Sequence, residues 1–162
     1  MIRRLHPETL NPTELLKLIN LIQSVNSLIP MKNIEESIKQ WFDMPNWEVW
    51  ISEKEGQLVG FYVFMILQTH ANLYGGFLPQ ITLQHRKILW NQLIELIRAH
   101  PTLTSVTTST NEEDDINPIL FEHFGFEKSQ WPNISRWLNN ISQTPAWKAP
   151  YDLMPGSPAD RA

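Results

Sequence analysis

Apolar positions change period several times along the 162 residues, and the changes mark out the elements. Ile2–Leu5 suits a short first strand. Asn11-Pro12-Thr13-Glu14 then carries the signature of a helix start, with Asn as N-cap, Pro at the first helical position and Glu at the third. Leu15, Leu18, Ile19 and Ile22 follow at helical spacing. Asn33 and Glu36 announce a second helix, with Ile34, Ile38, Trp41 and Phe42 on one face, that stops before Pro45. From Trp47 the period drops to two. Trp47, Val49 and Ile51 alternate with Glu48, Trp50 and Ser52, as in a half-buried strand. Glu55-Gly56 marks a tight turn, and the nearly continuous apolar run Leu58–Leu67 completes a hairpin.

After a break at Thr69-His70, the pattern predicts a third meander strand over Asn72–Leu78. Gly75-Gly76 within it suggests a bulge or a close backbone approach. Pro79 ends that strand. A long helix is expected over Gln84–Ala99, with Leu89, Leu93, Leu96 and Ile97 inward and Arg86, Lys87, Gln92 and Glu95 outward. Leu103–Ser109, rich in Thr and Val, reads as a further strand. Asn117-Pro118 opens a short helix that ends at Gly125. Phe126–Trp131 and Ile134–Leu138 form a terminal hairpin, split by Pro132-Asn133. From about residue 141 the composition shifts. Pro145, Pro150, Pro155 and Pro158 exclude regular structure, while Trp147, Tyr151, Leu153 and Met154 keep the segment aromatic and apolar. The expected organisation is a domain over 1–140 and a proline-rich extended tail over 141–162.

Composition narrows the possibilities. Charged residues make up only 19% against 42% hydrophobic, so a well-buried core is expected. The formal charge of −4 gives no broad attraction to nucleic acid or anionic membrane, and neither is expected as a partner. With no cysteine, disulfides, thiolate nucleophiles and thiolate-ligated zinc are excluded. The five histidines lack the spacing of a helical metal site, so no metal is expected. The longest apolar run is too short to span a bilayer, and the start lacks a signal core; a soluble, cytoplasmic protein is expected.

The element order is strand, two helices, three-strand meander, long helix, strand, short helix and two strands. Together with Leu120-Phe121-Glu122-His123-Phe124-Gly125-Phe126 and Leu78-Pro79, it resembles the GNAT N-acetyltransferase superfamily. The first segment is similar to the family's closing motif, a short helix ending in Gly-Phe. The second is similar to the strand end ahead of its cofactor loop. The resemblance covers about residues 1–138. It implies an α/β (α+β) fold with a mixed, mostly antiparallel central sheet flanked by helices. It also implies acetyl-CoA as cofactor and an amine, of a small molecule or a protein, as acceptor. In such proteins the cofactor lies in an opening between the fourth and fifth strands, and its pyrophosphate rests on the N-terminus of the long helix. That places Phe77, Leu78, Gln84, Arg86 and Lys87 toward the cofactor. The basic pair Arg86 and Lys87 either replaces lost amide contacts to phosphate or is an ordinary solvated helix face.

Two departures stand out. No glycine occurs between Gly76 and Gly125, where the family carries a glycine-rich phosphate loop. Phe121 stands where the family has its tyrosine acid, and a phenyl ring has no proton to give. No Asp or Glu lies between Glu55 and Glu95, so acid–base work falls to His70, Tyr74 or His123, unless these are packing or surface residues. Glu112 and Glu113, in the run Glu112–Asp115, either draw a cationic substrate or complement the start of the next helix. An alternative is a degenerate GNAT-shaped binding or assembly protein, similar to those among phage-encoded and virion-associated proteins, that engages a protein partner through Trp147 and Tyr151 of its tail.

Overall fold

The computed structural model describes residues 1–25, 31–111, 114–131 and 134–140. Seven strands and four α-helices alternate along them. The strands are β1 (Ile2–Leu5), β2 (Trp47–Lys54), β3 (Gln57–Leu67), β4 (His70–Phe77), β5 (Ser105–Asn111), β6 (Glu127–Trp131) and β7 (Ile134–Asn140). The helices are α1 (Pro12–Val25), α2 (Met31–Asp43), α3 (Leu83–Ala99) and α4 (Asn117–His123). One sheet takes the strands in the order β1-β2-β3-β4-β5-β7-β6. Its pairs β1/β2, β2/β3, β5/β7 and β6/β7 are antiparallel, and β4/β5 is parallel. The mixed, mostly antiparallel sheet expected from the sequence is present.

The chain forms two compact units. Among the described residues, the first holds those within Met1–Ile66 and Tyr74–Gln92, the second Leu67–Leu73 and those from Leu93 to Asn140, so β4 and α3 each contribute to both. In the first unit α2 packs on β2 and against α1. Leu18, Ile22, Ile34, Ile38, Ile51 and Phe61 are fully buried there. Asn11 caps α1 as expected, its Oδ1 accepting the Glu14 amide at 2.8 Å. Arg3 ties β1 down by donating to Glu53 and Glu14, and these hydrogen bonds, Glu53 first, raise the guanidinium's pKa.

Several boundaries differ from the sequence reading. Helix α2 begins at Met31, so Asn33 sits inside its first turn instead of capping it. β4 begins at His70, because the chain turns at Gln68-Thr69, with Gln68 at φ 57°, and not at Thr69-His70. Asn117 is the first residue of α4 and not its N-cap, which is Ile116; ahead of it Asp114 Oδ1 accepts the amides of Ile116 and Asn117. Ser52, placed by alternation on the open face of β2, is buried because Tyr62 reaches it at 2.6 Å, and Phe61–Phe64 are buried on both faces of β3. Burial pushes the Tyr62 phenol well above its ordinary pKa, and the Ser52 hydrogen bond only partly offsets this. The turn at Glu55-Gly56 is as expected, with both residues at positive φ. The tail 141–162 lies outside the described residues.

Candidate functional site

In the first unit, the second half of β4 is pressed onto β3. A Cβ on Gly75, at φ 155°, would lie 2.0 Å from the Phe61 carbonyl oxygen, so no side chain fits. A Cβ on Gly60 would lie 2.9 Å from the Phe77 ring and 3.2 Å from the Tyr62 hydroxyl. The close approach anticipated at Gly75-Gly76 is therefore real. Just before it, Tyr74 is 37% exposed. Its ring stands edge-on to Phe61 at 5.6 Å and to Trp41, from the last turn of α2, at 6.0 Å.

The segment from Leu78 to Thr82 leads into α3, and Arg86 organises it. Arg86 is only 5% exposed. Its Nε donates to the Ile81 carbonyl at 2.8 Å, its Nη2 to the Leu78 carbonyl at 3.3 Å, and the guanidinium lies 5.4 Å from the centre of the Phe77 ring. Arg86 does not point outward. It joins the buried stripe of Leu89, Leu93 and Ile97, three to eleven residues along the helix, because two loop carbonyls and an aromatic face satisfy its charge there. Leu78 also donates its amide to Val59 at 2.9 Å, so both of its backbone groups are engaged within the chain. Phe77 is buried against Tyr62.

Thr82 caps α3. Its Oγ1 accepts the His85 amide at 3.2 Å and its carbonyl accepts the Arg86 amide at 2.9 Å. The amides of Leu83 and Gln84 are then the first-turn donors that neither Thr82 oxygen takes. Gln84 is exposed and Lys87 half-buried on the same turn. Two open amides, the positive end of a helix and a buried guanidinium beneath the loop suit an anion such as a pyrophosphate. Where the resemblance implies a loop shaped by glycines, an arginine shapes this one.

In the second unit, β4 and β5 pair in parallel through His70↔Ser105, Ala71↔Val106 and Asn72↔Thr107. Past this three-pair ladder, β4 runs on to Phe77, and β5 to Asn111 with β7 as its partner. The His70 ring is gripped from β5, with Nδ1 2.6 Å from the Ser105 hydroxyl and Nε2 2.8 Å from that of Thr107. In a neutral imidazole one nitrogen donates and the other accepts, so one hydroxyl must donate to the ring. Ser105 and Thr107 are absent from the sequence reading, although their spacing of two places both on one face of β5. Thr108 of the same strand donates to the Leu73 carbonyl at 3.1 Å.

His123 is exposed at the end of α4 with its ring edge-on to Phe124 at 4.8 Å, surroundings unlike those of His70. Phe121 is 4% exposed and packed between the rings of Phe126 at 5.5 Å and Trp137 at 5.7 Å. Trp137 in turn donates its indole N–H to Thr110 at 3.0 Å. Glu112, Glu113, Trp147 and Tyr151 lie outside the described residues. Among the described residues no three His, Asp or Glu side chains gather as a metal site, and no helix is long and apolar enough to cross a membrane.

No family model and no curated protein matches the sequence. Solved structures do match, among them an acetyltransferase of the GNAT family from Streptococcus pneumoniae with a TM-score of 0.62 at 13% identity over 85% of this chain and 95% of that one, and the chain has that fold. The aminoglycoside 6'-N-acetyltransferase from Enterococcus faecium superposes with a TM-score of 0.71 at 13% identity, over 87% of this chain and 97% of that one. A spermidine N-acetyltransferase from Vibrio cholerae does so with a TM-score of 0.67 at 14% identity, over 88% and 96%. The N-acetyltransferase PseH from Campylobacter jejuni, solved in complex with acetyl coenzyme A, gives 0.66 at 14% identity over 86% and 99%.

Proposed function

We propose that this chain is an acyl-CoA-dependent N-acyltransferase that moves an acetyl group from acetyl-CoA to an amine of a small molecule or protein in the cytoplasm. The observation that carries this reading is the fold, shared over 95% or more of the length of solved enzymes whose printed names are spermidine, aminoglycoside and other N-acetyltransferases. Acetyl-CoA supplies an acyl group already activated as a thioester. The chain's part is to hold and to move protons. The amides of Leu83 and Gln84, with the side chains of Gln84 and Lys87, hold the pyrophosphate at the start of α3, and Arg86 keeps the loop beneath them in shape. The attacking amine gains the acyl carbon and loses a proton, while the C–S bond breaks and the thiolate takes a proton up. Tyr74, exposed on β4, is one candidate for the proton at sulfur. His70, in its own hydroxyl-lined setting, and His123 are the other candidates to be tested.

Because the chain has no cysteine, released coenzyme thiol can be followed without background from the protein. With acetyl-CoA and spermidine or an aminoglycoside, thiol release above the solvent rate supports the reading. Tyr74→Phe and His70→Gln then show which residue carries the proton, by a fall of about 10²–10⁴ in rate. No release, together with no calorimetric binding of acetyl-CoA or CoA at millimolar concentration, would end it.

A second reading has one observation in its favour. Phe121 is buried among rings where the family resemblance places a tyrosine acid, and this suits a fold kept for binding, as in a phage virion-associated protein whose tail engages a partner. Deleting residues 143–162 tests it: loss of every protein partner supports it, and unchanged association counts against it.

A further inference from the structure

We infer that Trp41 and Tyr74 form a cation-binding corner that selects an acceptor carrying a permanent or second positive charge. Three rings meet there. Trp41 stacks nearly parallel to Phe61, 11° apart with centroids at 6.3 Å, and Tyr74 stands at 66° to Trp41 and 71° to Phe61. Phe61 is fully buried. Tyr74, exposed, and Trp41, half-buried, are therefore the members that reach solvent, and their edge-on rings make an aromatic corner. The negative faces of Trp and Tyr attract ammonium groups lying within about 6 Å of the ring centre.

The sequence around the corner favours this use. From Gly56 to Ile94, a stretch that holds β3, β4 and the first turns of α3, there is no Asp or Glu to receive a cation. Of the two cations of that region, Arg86 is turned onto Phe77 and the carbonyls of Leu78 and Ile81, and Lys87 stands half-buried on the first turn of α3. On β3 and β4 a positive ligand therefore meets π-faces and no carboxylate, while Asp43 stands exposed two residues beyond Trp41 on α2, and the chain's net charge of −4 favours the ligand's approach. The corner is also held rigid. Gly75, next to Tyr74, touches the Phe61 backbone too closely to shift.

The chemistry of transfer then defines the ligand class. A nitrogen that attacks a thioester must be unprotonated, so it cannot be the cation the corner binds. The corner holds a different charge on the same molecule, which makes the acceptor a polyamine or an amine bearing a fixed ammonium. This assignment of the acceptor rests on the transferase reading. The cation site itself does not.

The test uses choline against its neutral isostere, the alcohol in which carbon replaces the nitrogen, on the intact chain without acetyl-CoA. Ring resonances of Tyr74 and Trp41 are followed by NMR. Choline should bind at least about fivefold more tightly than the alcohol. Tyr74→Leu should erase that preference, and Tyr74→Phe should keep it. A melting curve for each variant confirms that it is folded. Equal binding of the two probes, no binding of either, or a preference that survives Tyr74→Leu would overturn the corner. Neither probe has a reactive amine, so a preserved choline preference beside absent thiol release would sink the transferase and leave the cation site standing.

Discussion

At Tyr74–Phe77 strand β4 is fixed by missing side chains, with Gly75 and Gly60 allowing backbone and ring atoms to touch. At His70–Leu73 the same strand is fixed by side chains, with Ser105 and Thr107 gripping His70, and Thr108 donating to the Leu73 carbonyl. The first arrangement is steric. It leaves no room for a side chain at Gly75, so it suits a rigid platform for Tyr74 and for the loop that Arg86 shapes. The second is a polar network whose hydroxyls can rotate to suit either ring tautomer. One strand thus presents a fixed surface at one end and an adjustable one at the other.

Four substitutions probe that contrast, from the largest effect down. Gly75→Ala forces a Cβ into the Phe61 carbonyl at positive φ, and should cost about 3 kcal/mol or more in urea unfolding. A loss below about 1 kcal/mol would show that the contact can relax. Arg86→Met keeps the buried stem but strips two carbonyls of a charged donor. It should cost about 2–3 kcal/mol and weaken acetyl-CoA binding at the same time. His70→Ala should cost about 1–2 kcal/mol, less than either, because Ser105 and Thr107 can rotate to new partners.

Tyr62→Phe should cost about 1 kcal/mol at neutral pH, where it breaks only the hydrogen bond to Ser52. Its larger signature lies at alkaline pH. Burial raises the phenol's pKa in the folded chain, so the unfolded chain releases that proton first. Stability from Tyr62 is therefore complete below about pH 10, the ordinary tyrosine value, and is lost as pH rises above it. Unfolding measured between neutrality and strong alkali should show a shallower alkaline decline in Tyr62→Phe than in the parent chain.

Much of the architecture was legible because local chemistry and tertiary packing agree. Asn11 caps α1, Glu55-Gly56 turns the hairpin, and Gly125 at φ 84° follows α4, each as its residue type dictates. The misreadings share a cause. Arg86 and Ser52 are polar residues at positions that packing buries, and each is satisfied by partners on the adjacent strand or in the preceding loop. A periodicity rule places polar residues outward, and it cannot see those partners. Asn117 and Asn33 look like caps because their type is right, yet both lie inside their helices. The His70 grip was half visible: the histidine was singled out, but its hydroxyl partners come from a strand 35 residues on, and parallel register is not encoded locally. The Trp41 and Tyr74 corner was hidden for the same reason, since helix α2 and strand β4 meet there only in the fold.

The claim on which the function depends is that the start of α3 binds a pyrophosphate without glycines. Backbone amide NMR on the nitrogen-labelled chain, titrated with acetyl-CoA, tests it directly. Saturable shifts at Leu83 and Gln84, weakened in Arg86→Met, are the expected result. Unmoved Leu83 and Gln84 amides at millimolar acetyl-CoA would contradict it.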